Sequence, residues 1–344
     1  MEIWISAACG WVVSILLTVA ALAYARRRGL IDLPGQRRSH SVPTPRGGGV
    51  GIVAAVLLIG LPAWVWIDPA IHWLRLVALG VAVLAVALVG WRDDHAPLPV
   101  LPRLSVQLGA ALLVAASVLA TPTGTAPQVW WGIVPLAIVL TGFLNAHNFM
   151  DGIDGILGQQ ALFVMLGYGL LGLAVDAPGV AIFAFVTAAG CLGFLVFNLP
   201  PARIFMGDVG SGALGLLIGA IAAWLVQRDV QMLWPCLILS SAFLVDSGLT
   251  LARRVVGGQR WYAPHRQHLY QWLVRVHWSH ARTDAAYLAW NIVIAAPLAW
   301  LAARRPEHGW WLCVAAYVAA VAAWHLGKRA CLSSARKRIL HEPA

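Results

Sequence analysis

Residues 3–28 read IWISAACGWVVSILLTVAALAYARRR, and the fold follows from what this stretch contains and lacks. From Ile3 to Ala25 there is no charge, and Arg26, Arg27 and Arg28 follow at once. An apolar run of that length crosses roughly 30 Å of hydrocarbon as a helix. Only Glu2 precedes it, so the basic n-region of a cleavable signal peptide is missing.

The same pattern recurs along the chain. Apolar runs lie at roughly 3–25, 48–67, 73–91, 104–121, 130–149, 156–175, 179–198, 209–226, 232–252, 285–303 and 310–326. Of the 344 residues, 60% are hydrophobic and only 11% charged, with mean hydropathy +0.76. A soluble domain carries about 25% charged residues. The expected fold is therefore an all-α integral membrane bundle of about 11 transmembrane helices. The net charge of +10 does not indicate nucleic acid, because the basic residues sit between apolar runs. The five cysteines form no CxxC pair and suit packing.

Lys and Arg orient the bundle. With the N-terminus outside, 20 basic residues fall on inside segments and four (Arg75, Arg228, Arg304, Arg305) outside. That excess predicts a cytoplasmic C-terminus. Trp64, Trp66, Trp73, Trp130, Trp131, Trp234, Trp310 and Trp311 fall at expected outer boundaries, as an aromatic belt would.

Five motifs then share the inside face. The first loop holds His40 and the segment Pro43 to Gly49 (PTPRGGG), whose Arg46 and glycine amides suit a phosphate. Asp93 and Asp94 open the second, where adjacent carboxylates ask for a cation such as Mg²⁺. The third, Asn145 to Gly155, reads as a flexible oxygen-rich loop carrying Asn148, Asp151 and Asp154. The fourth runs from Asn198 through Phe205, Gly207 and Asp208 to Ser211, placing a carboxylate at a helix start as metal ligand or cap. In the fifth, His265, Arg266 and His268 fit a pyrophosphate better than zinc, while His277 and His280 read as amphipathic surface residues. Asp246 lies inside the ninth run, at membrane depth, where an ionisable group is a functional candidate. A transporter would gather such groups at the midplane with repeat symmetry, and a membrane phosphatase would not need the asparagine-rich third loop.

Taken together, PTPRGGG, the Asp93–Asp94 pair, NxxNxxDGxDG, FMGDVGS and HRQHLYQ occur in an order that resembles the polyprenyl-phosphate N-acetylhexosamine-1-phosphate transferases, glycosyl transferase family 4. The resemblance implies one polytopic transferase domain, 1–344, with its site built from loops 26–49, 91–103, 145–155, 198–211 and 253–284. It implies transfer of sugar 1-phosphate from a UDP-N-acetylhexosamine to undecaprenyl phosphate at the bacterial inner membrane. Mg²⁺ is the expected cofactor, with Mn²⁺ as a substitute, and a homodimer is compatible. By family position, Asp208, Asp93 and Asp94 are expected to be catalytic and to hold the metal. Asn145, Asn148, Asp151, Asp154, Asn198, Phe205 and Gly207 are expected at the nucleotide sugar, and His40, Arg46, His265, Arg266 and His268 at phosphates. HRQHLYQ is similar to the O-antigen-initiating members rather than to the muramoyl-pentapeptide enzymes. The aromatics Trp261, Tyr262 and Tyr270 around it suit a compact sugar.

The orientation predicts a labelling pattern in intact cells. A cysteine placed in 26–46 will resist a membrane-impermeant thiol reagent, and one placed in 122–128 will react. Reversed labelling refutes the shared cytoplasmic face.

Overall fold

The computed structural model describes residues 1–35, 42–119, 127–260, 262, 263 and 265–341. In hydrocarbon every backbone polar group must be paired within the protein, so each apolar run closes into a helix. Among the described residues, ten helices are long and apolar enough to cross a membrane. The pair Val230–Leu239 and Ser241–Val256, bent by 75°, makes an eleventh if counted as one span. The chain is thus an all-α multi-pass membrane protein. Among the described residues, one small sheet pairs Ile31–Asp32 antiparallel with Thr44–Pro45.

The run expected at 232–252 is therefore a broken span. At the break the Tyr168 hydroxyl lies 3.0 Å from Ser240 Oγ and donates to the Cys236 carbonyl at 3.2 Å. Those contacts tie the break to helix Ile156–Ala174, while Ser240 N still donates to Cys236 O at 3.3 Å.

Helix Asp208–Arg228 is buried along most of its length and contacts helices Trp73–His95, Val100–Leu119, Pro127–Phe149 and Ile156–Ala174. Helix Glu2–Arg28 packs on Pro178–Asn198 at the periphery. Glycines set the closest approaches, as small residues do between membrane helices. A Cβ on Gly90 would stand 2.3 Å from the Asp208 carbonyl oxygen, and one on Gly49 2.3 Å from Gly210 Cα.

Helix ends differ from the sequence reading in ways that matter. Asp93 and Asp94 belong to the last turn of Trp73–His95 rather than to a loop. Asn145 and Asn148 lie on helix Pro127–Phe149, so only the second half of the third motif is a loop. The fifth segment contains a short helix, Leu269–Arg275, and its last part opens the helix that starts at His280. Trp64 is buried against Phe183 and Trp224 rather than lying in a belt, whereas Trp66, Trp73 and Trp131 are exposed.

Asp246 has a structural task. Its carboxylate accepts from the amides of Leu269 (2.8 Å) and Tyr270 (3.4 Å), from the Tyr287 hydroxyl (2.7 Å) and from Trp324 Nε1 (2.8 Å). It caps the short helix from another element and ties four segments together.

The Gly90 contact predicts a steric wedge, since its neighbours are backbone and cannot move aside. Gly90→Ala will cost about 2 kcal/mol, the usual scale of overpacking, and lower the thermal midpoint in detergent. Gly142→Ala, where a Cβ meets nothing within 4 Å, is the control and will hold or gain stability. Equal midpoints for the two variants refute the wedge.

Candidate active site

The first and fourth motifs are stitched together by backbone. Phe205 N donates to Pro45 O at 2.8 Å; Gly47 N and Gly48 N donate to Phe205 O at 3.1 and 2.9 Å; Gly49 N donates to Met206 O at 2.9 Å. Three amides expected to face a phosphate are therefore spent on loop pairing. Gly47, at φ 100°, makes the turn that permits it.

That pairing sets Gly207 and the start of helix Asp208–Arg228 against the end of helix Trp73–His95. Asp94 Oδ1 accepts from Asp208 N at 3.2 Å and Asp94 Oδ2 from Val209 N at 3.3 Å. Asp94 thus caps the central helix from a neighbouring one. The Arg46 guanidinium donates through Nη2 to the Asp94 carbonyl, and its Nε is buried without a partner among the described residues.

Asp93, the preceding residue, also turns its carboxyl toward that of Asp208. It accepts from Leu98 N at 2.6 Å and from Arg103 Nη1 at 2.8 Å. The same Arg103 nitrogen lies 3.1 Å from Asp208 Oδ2, bridging the two carboxylates. Asn148 Nδ2 reaches Asp208 Oδ1 at 3.4 Å and Ser211 Oγ at 2.9 Å. The sequence reading passed over Arg103; the clue was a lone basic residue within ten positions of an acidic pair.

A cavity of about 230 Å³ opens at this junction. Arg46, Asp94, Asp151, Asp154, Asn198, Phe205, Gly207 and Asp208 line it, together with Gln271 and His280. Asp151 has no hydrogen-bond partner among the described residues. Its depth in the fold, then the charges of Asp208 and Asp94, push its carboxyl up to about 8. Asp154 accepts from Ala202 N at 3.0 Å and pairs with His280 at 3.1 Å. Asn198 latches the loops, accepting from Gly155 N at 3.0 Å and donating to Ile204 O at 2.9 Å.

Other expected residues stand elsewhere. Asn145 donates to Gln107 at 3.0 Å and Thr141 O at 2.9 Å, tying two spans outside the cavity. His268 is buried among Phe149, Tyr270 and His265, 3.8 Å from Asp246, and makes no part of the cavity wall. His265 is held down at about 4 by burial and by His268, Arg254 and Lys328, so it is neutral at pH 7. Arg266 also lies outside the cavity lining. Tyr270 is buried under Gly152, its hydroxyl donating to Phe149 O at 3.1 Å. Tyr262 is exposed, while His40 and Trp261 lie outside the described residues. His280, read as a surface residue, was missed as well; only its helix start marked it.

Among the described residues no three His, Cys, Asp or Glu side chains group closely enough to hold a metal alone. Asp94 spends both oxygens on helix amides, and Asp93 spends its own on Leu98 and Arg103. Asp208 and Asp151 face the cavity, and their mutual repulsion suits a cation that takes its remaining oxygens from substrate phosphates and water.

A sequence model described as Glycosyl transferase family 4 matches residues 76–226. The chain is 32% identical to the decaprenyl-phosphate N-acetylglucosaminephosphotransferase of Mycolicibacterium smegmatis, over 84% of this chain and 77% of that one. It is 33% identical to the phospho-N-acetylmuramoyl-pentapeptide-transferase of Acaryochloris marina, over 71% and 67%. A probable undecaprenyl-phosphate N-acetylglucosaminyl 1-phosphate transferase of Bacillus subtilis is 27% identical, over 77% and 75%. The family model covers the Asp93–Asp94 pair, NxxNxxDGxDG and FMGDVGS, and with relatives of this similarity the chain belongs to glycosyl transferase family 4.

Proposed function

We propose that the protein transfers an N-acetylhexosamine 1-phosphate from a UDP-sugar to undecaprenyl phosphate at the cytoplasmic face of a bacterial inner membrane. An oxygen of the lipid phosphate attacks the β-phosphorus. The bond from that phosphorus to the bridging oxygen breaks, UMP leaves with the oxygen and the electron pair, and a lipid-linked pyrophosphoryl sugar remains. The observation that carries this reading is the meeting of Arg46, Asp151 and Asp208, from three distant segments, around one cavity at one end of the bundle.

Two anions approach one another in this reaction, so positioning and charge neutralisation are the main demands. Asp208 and Asp151 would hold Mg²⁺, which neutralises pyrophosphate charge when bound. Arg46, fixed through Nη2, keeps Nε for a phosphate oxygen. Arg103 and Asn148 orient the Asp208 carboxylate. The Phe205 ring offers a face for the uracil base.

A simple N-acetylhexosamine suits the cavity better than a pentapeptide-bearing sugar. The space is about 230 Å³, and among the described residues the fifth segment contributes Gln271 and His280 to it. The product would start lipid-linked assembly of O antigen or another surface polysaccharide.

Purified protein with undecaprenyl phosphate, Mg²⁺ and UDP-GlcNAc will release UMP and form a lipid-linked product seen by mass spectrometry. UDP-MurNAc-pentapeptide will not substitute. Asp208→Asn, which keeps shape but removes charge, will lower turnover by about two orders of magnitude or more. Product from the pentapeptide donor alone refutes the donor assignment, and near-normal turnover in the variant reduces Asp208 to a structural role.

Asp151 yields a pH prediction. Its folded value, about 8, lies above the ordinary 3.8, so the folded state binds the extra proton between those limits. The stability tied to this group is full below about pH 4 and is lost as pH rises through about 8. Ligand-free Asp151→Asn will therefore have a higher thermal midpoint than wild type at pH 8.5 and no advantage at pH 4. Mg²⁺ will narrow the gap at pH 8.5 by stabilising wild type. An unchanged pH slope in the variant refutes the repulsion argument.

A further inference from the structure

His280 stands in the cavity wall although it belongs to none of the five motifs. It opens helix His280–Trp290, whose N-terminus is capped by Ser279 Oγ accepting from Arg282 N at 3.2 Å. Its Nδ1 lies 3.1 Å from Asp154 Oδ1, with the two side chains only 14% and 11% exposed. The Asp154 backbone amide also approaches Nδ1, at 3.4 Å. One ring nitrogen cannot donate and accept together, and the shorter, charge-assisted contact assigns the proton to Nδ1.

A second carboxylate interacts electrostatically with the imidazole. Asp284, one helical turn further on, is 4% exposed, and neither of its oxygens has a hydrogen-bond partner among the described residues. It interacts electrostatically with both His280 and Asp154. Gly155, at φ 81°, lies so close that a Cβ there would stand 2.6 Å from Asp284 Oδ2. A buried carboxylate without donors is costly unless a positive group is near, and His280 is the group in place. The imidazole thus pairs with Asp154 in the field of a second buried carboxylate, Asp284.

Asp154 is thereby held from both sides: its Oδ2 by the fourth loop through Ala202 N, its Oδ1 by the fifth segment through His280. Ala202 lies three residues before Phe205, and Asp154 lines the same cavity as Phe205 and Asn198. We infer that His280 is a positioning residue for the nucleotide end of the donor, aiming Asp154 at it and locking the third, fourth and fifth segments around it. This inference rests on the UDP-sugar reading above.

The test separates the two. In full-length protein, His280→Ala will raise KM for UDP-GlcNAc about 10- to 100-fold, the effect of losing a hydrogen bond to a charged group, and leave KM for undecaprenyl phosphate within about twofold. His280→Asn, whose amide can stand in for Nδ1–H, will restore most of the loss. In the His280→Ala background, Asp154→Asn will add little, because the two act as a unit. Calorimetry with UMP will show the same weakening without turnover. A fall in kcat with unchanged donor KM, equal rises in both KM values, or failure of asparagine to rescue overturns the inference and leaves the transfer reaction standing. A wild-type protein that transfers from UDP-MurNAc-pentapeptide but binds UMP more weakly as His280→Ala overturns only the donor assignment; one that binds no uridine nucleotide overturns both.

Discussion

The arrangement depends on one contact: the Asp94 carboxylate at the N-terminus of helix Asp208–Arg228. A helix end deep in the protein presents amides with no partner in their own ladder, and these must be satisfied from outside. Asp94 meets two of them from the last turn of a neighbouring span. The approach is possible because Gly90, one turn earlier, leaves no side chain between the backbones. With the helix end fixed there, Asp208 is placed beside Arg103 and Asn148, and Gly207 beside the first loop. Asp246 repeats the device at helix Leu269–Arg275, and with it the fifth segment is pinned to the bundle.

Both carboxylates show how a membrane protein tolerates charge at depth. Each is surrounded by donors whose own partners are scarce, so each side relieves the other. The cavity is arranged differently. Asp151 faces Asp208 and Asp94 with no donor of its own among the described residues. That is an unfavourable arrangement for the ligand-free fold and a favourable one for binding a cation with phosphates. Local cost concentrated at a site, with satisfied networks around it, is the pattern expected where function has shaped the sequence.

The loops also divide their labour in a way their composition conceals. The glycines of PTPRGGG look like a phosphate cradle, but their amides hold Phe205 and Met206. The histidines of the fifth segment look like a cationic patch, but His268 is packed among rings and His265 is neutral. What reaches the cavity from that region, among the described residues, is Gln271, the last residue of HRQHLYQ, and His280, which no motif includes.

The sequence by itself determined the membrane class, the number of spans and the clustering of acidic motifs. These rest on run length, on where Lys and Arg fall, and on the cost of unpaired backbone in hydrocarbon, all of which are local properties. It also contained the carboxylates of the cavity, because Asp151, Asp154 and Asp208 stand out in so apolar a chain. Which oxygen meets which donor was decided only by the tertiary structure. Asp93 and Asp94 are neighbours in the chain, yet one turns to Arg103 and the other to the amides of Asp208 and Val209. Helical rotation of about 100° per residue separates them, and the amides that Asp94 meets belong to a helix over a hundred residues away. His280 was hidden for the same reason: its partner Asp154 is 126 positions distant, and only packing brings the two together.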